Sequence, residues 1–309
     1  MKQDRTEAGA LLGRALLVGR LAGACLALAL ITGCSFERVG EIPNDPEELQ
    51  AALFHAAKWE GPRRTSALIE AGALVDARDL GGWTPLHYAI NRMRDKEYRD
   101  MRTLRSLIEE AGADIHAISN DGFTPVSLAA QIGAIEALDL LLEHGADAST
   151  QDDDGLSLLM IAVNKKQNEM AEHLLQLGAD VNQQLPQGGG ALFIAVQRNS
   201  PDMVRLLIER GTNVGGTEKS AAPIIFAAAL RNEEVVTLLL KAGADVNAVN
   251  QKNGATAIHR AVESGPSMVK LLLEAGANVN VLNLEGKTPL AIAELVGDAE
   301  MISLLSAGT

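Results

Sequence analysis

Residues 124–147 read TPVSLAAQIGAIEALDLLLEHGAD, and the architecture of the chain can be worked out from this stretch. Thr124 offers a hydroxyl at a helix N-terminus, and Pro125 takes the first helical position, where its missing N–H costs nothing. The small residues Ala129 and Ala130 let a neighbouring helix approach closely. Leu141 and Leu142 end a second helix. Gly145, without a Cβ, takes the left-handed conformation that closes it, and Asp147 begins a turn.

The same spelling returns along the chain. Gly72, Gly112, Gly145, Gly178, Gly211, Gly243 and Gly276 each follow an apolar pair, at steps of 40, 33, 33, 33, 32 and 33 residues. A single closed core has no reason to repeat its boundaries at equal intervals, so the period marks a stacked array of similar units. Helix starts recur at Thr84-Pro85-Leu86-His87, Thr256-Ala257-Ile258-His259 and Thr288-Pro289-Leu290-Ala291. The units near Gly190 and Ala222 lack the Thr. The expected fold class is all-α, an α-solenoid of helix-turn-helix modules.

These residues resemble the ankyrin repeat, whose hallmark is a Thr-Pro-Leu-His helix start, an Ala pair, a Leu pair and a Gly-Ala-Asp turn leading to a β-hairpin. The resemblance covers about residues 47–309, roughly eight repeats counting atypical ends. Val181-Asn182, Val246-Asn247 and Val279-Asn280 follow the turns as the family has them. The resemblance implies a binder of proteins. It also implies a structural use for His87 and His259, which would knit neighbouring turns by hydrogen bonds.

The N-terminus has a different character. Lys2, Arg5, Arg14 and Arg20 form a basic leader, Leu21 to Ile31 an apolar run too short to span a bilayer comfortably, and Ile31-Thr32-Gly33-Cys34 resembles a bacterial lipobox. On that resemblance, residues 1–33 are a lipoprotein signal peptide and Cys34 carries acyl chains. Ser35 after it implies sorting to the outer membrane of a two-membrane bacterium, with the protein facing the periplasm. Residues 34–46 then form a lipid-anchored tether reaching about 40 Å when fully stretched. Removal of the leader takes Cys25 with it, so the array would hold together by stacking, with no disulfide.

Without that leader the chain carries 23 Lys and Arg against 38 Asp and Glu, a net charge of −15. Such a chain repels nucleic acid and attracts a basic partner. No small-molecule substrate and no cofactor is indicated, and a monomer is expected. His55, His116, His144 and His173 have no ligand-spaced partners, so no metal site is legible. Asp152-Asp153-Asp154-Gly155 resembles the start of a calcium loop but would have Val163 where the final Glu belongs, and it reads as a hairpin tip. Gly188-Gly189-Gly190 lacks the Lys-Ser or Lys-Thr of a phosphate loop and falls where a turn is due. No nucleophile motif is present, so the protein is read as no enzyme, with a cryptic hydrolase as the remote alternative.

Two features point to a binding surface. Trp83, Phe123 and Leu156 precede the helix start in three consecutive repeats, and stacking would align them into an apolar ladder. The long step of 40 residues comes from an insertion of about seven within Arg92 to Arg105, locally basic, which would add two helical turns beside the Trp83 repeat. By family resemblance the contact positions are Leu80, Trp83, Asn91, Arg92, Phe123, Gln131, Ile132, Asp153, Leu156, Asn164, Lys165, Gln197 and Arg198. In layout, a bacterial ankyrin lipoprotein is similar to immunity proteins that block toxic effectors delivered into the periplasm. A scaffold or protector of an envelope enzyme is the alternative.

Overall fold

The computed structural model describes residues 41–95, 100–186, 188–216 and 222–307. The leader, Cys34 and most of the tether lie outside the described residues, as do Lys96 and Arg99 of the insertion. The chain divides between Asp154 and Gly155 into two units.

Among its described residues the first unit holds three helix pairs: α1 (Pro46–His55) with α2 (Pro62–Glu70), α3 (Pro85–Arg92) with α4 (Met101–Arg105), and α5 (Pro125–Ile132) with α6 (Ile135–Glu143). Asp45 caps α1 by accepting from the amides of Glu47 and Glu48 at 2.9 and 3.0 Å, with Pro46 at the first helical position. Helix α3 packs on α5, α2 on α4 and α4 on α6, so each pair stacks on the next. The first pair has no Thr-Pro-Leu-His start. Its buried Gln50 instead ties down the following turn, accepting from Leu74 N at 2.9 Å and donating to Leu74 O at 3.1 Å.

Among its described residues the second unit holds five pairs: α7 (Leu158–Asn164) with α8 (Asn168–Gln176), α9 (Ala191–Gln197) with α10 (Pro201–Glu209), α11 (Pro223–Ala229) with α12 (Glu233–Lys241), α13 (Ala257–Ala261) with α14 (Pro266–Glu274), and α15 (Pro289–Val296) with α16 (Ala299–Ala307). The first helices of successive pairs pack on one another from α7 through α15. Ala162, Ala195, Ala227, Ala228, Ala261 and Ala293 are all fully buried along these contacts, which is why small residues recur there. Helices α9 and α11 form without a hydroxyl cap, behind Gly190 and Ala222.

The Leu-Leu-x-x-Gly-Ala spelling has a definite geometric meaning. At the end of α6, Gly145 N donates to Leu142 O at 3.0 Å and Ala146 N to Leu141 O at 2.9 Å, the paired closure that satisfies orphan carbonyls at a helix C-terminus. Gly145 sits at φ +95°, a conformation a Cβ would oppose. The closure repeats at Gly178, Gly211, Gly243 and Gly276, and at Gly72 in the first repeat. At Gly112 one residue too many separates the apolar pair from the Gly. Helix α4 takes up the surplus by running into a wider i→i+5 turn over Ser106–Glu110, with Ala111 N donating to Ser106 O at 3.0 Å.

The rest of the insertion lies between α3 and α4, and the helical turns the sequence suggested there fall in part on residues 96–99, outside the described residues. Helix α3 ends at Arg92, Met93 is buried at 1 % exposure, and the chain turns through Arg94 and Asp95. Asp100 then caps α4 and binds the Arg102 side chain at 2.7 Å. The loops between repeats are closed by single bonds such as Ser119 N to Phe123 O at 2.9 Å. Gln184 and Gly190 form an isolated β-bridge, and no extended strand occurs among the described residues, so the hairpins are turns rather than ladders.

Candidate functional site: the hairpin edge of the first unit

Asp79 organises the first of the stacked loops. Its Oδ1 accepts from the amides of Gly81 and Trp83, both at 2.8 Å, and its Oδ2 accepts from the Tyr88 hydroxyl at 2.6 Å. Burial, with that hydrogen bond and the adjacent carboxylate, pushes the Tyr88 pKa far above its ordinary value. The Trp83 ring is thereby held against Tyr88, 5.4 Å between centroids, and against His87 at 5.7 Å.

The next loop is registered on this one by backbone and side chain together. Asn120 N donates to Gly81 O and Asn120 Nδ2 to Leu80 O, each at 2.8 Å. Gly82 is the reason they can meet: a Cβ there would come within 2.6 Å of Asn120 Oδ1. Arg78 Nη1 donates to Ile118 O at 2.6 Å. A third loop follows at the same edge, where the Asp153 carboxylate lies directly against Gly122.

His87 joins helix to loop. Its Nδ1 accepts from Thr84 N at 3.3 Å, which leaves Nε2 to donate to Phe123 O of the next loop at 3.0 Å. His259 repeats this in the second unit, accepting from Thr256 N and donating to Lys287 O at 3.2 Å. Burial holds both imidazoles below their ordinary pKa of 6.5. Both knit a helix start to the next loop, as the resemblance implied.

The expected contact residues separate by environment. Leu80 is 56 % exposed, Trp83 and Phe123 are half-buried, and Asp153 is exposed. Asn91, Arg92 and Gln131 are half-buried along the ends of α3 and α5. Ile132 does not belong with them: at 5 % exposure its side chain is buried in the core with Leu128, Ala129 and Ala130 of the same helix. In the second unit Leu156 and Asn164 are half-buried, Lys165, Gln197 and Arg198 are exposed, and Arg198 Nε donates to Asn164 Oδ1 at 2.6 Å. Trp83 turns toward Tyr88 of its own repeat, so the alignment of residues 83 and 123 is carried by their loops and not by a ring-on-ring ladder.

Three residues of the group around Tyr88 went unread in the sequence: Tyr88 itself, which touches Trp83, and Lys58 and Trp59 beyond it. Trp59 is 52 % exposed, and Lys58 Nζ lies 5.0 Å from its ring centroid and 5.6 Å from that of Tyr88. The available signal was composition, since both tryptophans of the chain fall in the first two repeats. Their spacing of 24 residues matches neither a helix face nor the repeat period.

A family model described as ankyrin repeats in three copies matches residues 96–185, 166–250 and 224–309. Human inversin is 28 % identical over 119 residues, 38 % of this chain and 10 % of inversin, and dog and mouse inversin match over the same share. The chain thus spans about a tenth of the length of these curated relatives. Among solved structures, the ankyrin repeat domain of human ASB11 has a TM-score of 0.62 at 27 % identity, covering 73 % of this chain and 98 % of that one.

Proposed function

The chain belongs to the ankyrin-repeat family, and from that premise we propose that it acts by holding a protein partner at the bacterial cell envelope, without catalysis. The family fold typically serves as a non-enzymatic binding scaffold. What supports the reading most here is the hairpin edge of the first unit, where Leu80 and the Trp83 group remain accessible on loops fixed by hydrogen bonds. A preformed surface of this kind loses little conformational freedom on binding, which leaves more of the contact energy for affinity.

The N-terminal residues support a finer reading: an outer-membrane lipoprotein acylated at Cys34, facing the periplasm and inhibiting a toxic effector as an immunity protein. Two or more acyl chains would hold it stably, at about 0.8 kcal/mol for each buried CH₂. Crosslinking in intact cells followed by identification of the partner tests the binding role, and an effector separates inhibitor from scaffold of an envelope enzyme. Palmitate labelling lost in Cys34→Ala supports the anchor, and labelling that persists removes it. A deletion strain no more sensitive than wild type to effector-armed neighbours removes the immunity role.

A further inference from the structure

The chain has nine aromatic residues; in the first two repeats Phe54 and Trp83 both pack on Tyr88, and Lys58 links Tyr88 to Trp59. Large amphipathic rings left half-open at one edge are the side chains that most often anchor a partner. Leu80 at 56 % and Ile118 at 54 % exposure extend the apolar surface along the same stacked loops.

Charge says what kind of partner fits. From residue 111 to residue 154 the first unit has no Lys or Arg, while it has nine Asp and Glu. Three of these, Asp121, Asp153 and Asp154, stand exposed at the loop tips. They continue the edge on which Trp83 lies, because Asn120 is bonded to the Trp83 loop and Gly122 abuts Asp153. One exposed ion pair contributes little. Several like charges from a stretch without Lys or Arg, with Arg78 the cation bonded to this edge at Ile118 O, set up a field that selects and steers a partner of opposite sign. The aromatic end differs in carrying a cation, Lys58, seated over the rings of Trp59 and Tyr88.

We propose that this edge docks an extended, basic segment of a partner protein, its apolar side chains on Trp59, Trp83 and Leu80 and its Lys or Arg residues on Asp121, Asp153 and Asp154. The proposal rests on the partner-binding reading above and adds the chemistry and the direction of the segment. Lys58 fixes the direction, since a basic end laid over the aromatic group would meet a like charge.

The test uses the full chain and fluorescent peptides with an apolar half and a Lys-Arg half, beside counterparts in which Glu or Ser replaces the basic residues. The basic peptide should bind, weaken steeply as salt rises past about 0.1 M, and lose about tenfold in affinity to a variant joining Asp121→Asn, Asp153→Asn and Asp154→Asn. These positions are exposed, so the variant keeps its fold, which circular dichroism would verify. Trp59→Ala should weaken the basic peptide as well. Equal binding of the Ser or Glu counterpart, or full binding by the triple variant, overturns the proposal. So does concentration-dependent dimerisation that Trp59→Ala abolishes, because a second copy would then be the occupant. A photocrosslinker at Leu80 in cells keeps the two readings apart. A partner captured only from other positions defeats this inference and leaves partner binding standing, while capture from no position defeats the binding role itself.

Discussion

At the scale of single residues, two side chains carry unusual weight because each ties its own helix or loop to another element. His87 must be neutral to accept from Thr84 N at one nitrogen while donating to Phe123 O from the other, and His259 is bound in the same way. Their folded-state pKa values lie below 6.5, the ordinary value they regain on unfolding. The unfolded chain therefore takes up more protons as pH falls, so their contribution is complete above about pH 6.5 and is lost as pH drops through the folded values. The urea midpoint should fall between about pH 7.5 and about pH 5, and His87→Gln should flatten that slope besides lowering the midpoint at neutral pH. A slope that His87→Gln leaves unchanged would contradict this account. Asp79 is the second such residue. Asp79→Ala orphans two amides and the Tyr88 hydroxyl, and should cost about 2 kcal/mol in chemical denaturation.

Among the elements, the Thr-Pro starts and the Leu-Leu-x-x-Gly-Ala ends were legible because each is a local solution to the same problem of unsatisfied backbone groups at a helix terminus. The turn after each Gly was legible for a similar reason, and Asn182 and Asn247 show its purpose. Each accepts from an amide in the next turn, Asn213 N and Asn278 N, at 2.7 Å. The wide turn at Ser106–Glu110 was not legible, since it leaves no mark in composition. Ile132 was misplaced because the family position does not say whether an apolar side chain there packs inward. The left-handed closures themselves allow a two-sided check. Gly145→Ala puts a Cβ at φ +95° in otherwise open space and should cost about 1 kcal/mol, whereas Lys166, a non-Gly residue at φ +58°, should gain about 0.5 kcal/mol on replacement by Gly. Thermal melts of the two variants should move in opposite directions.

For the molecule as a whole, the same local wiring decides how it comes apart. Within each unit, the hydrogen bonds and helix contacts of a repeat run mainly to its immediate neighbours, so stability is close to a sum of repeat and nearest-neighbour contributions. Both tryptophans, Trp59 and Trp83, lie in the first unit, while helices of both units contribute to the far-UV circular dichroism. Fluorescence therefore reports the first unit alone, and dichroism reports both. Urea unfolding followed by the two probes should give curves that do not superimpose, in departure from two-state behaviour. Asp79→Ala supplies the sharper form of the test, because the damage is confined to the loop that holds Trp83. It should move the fluorescence midpoint by most of its cost while a large share of the dichroism change keeps the wild-type midpoint. Coincident curves that shift together by the same amount would mean that the repeats unfold as one cooperative body, and the nearest-neighbour picture would have to be given up.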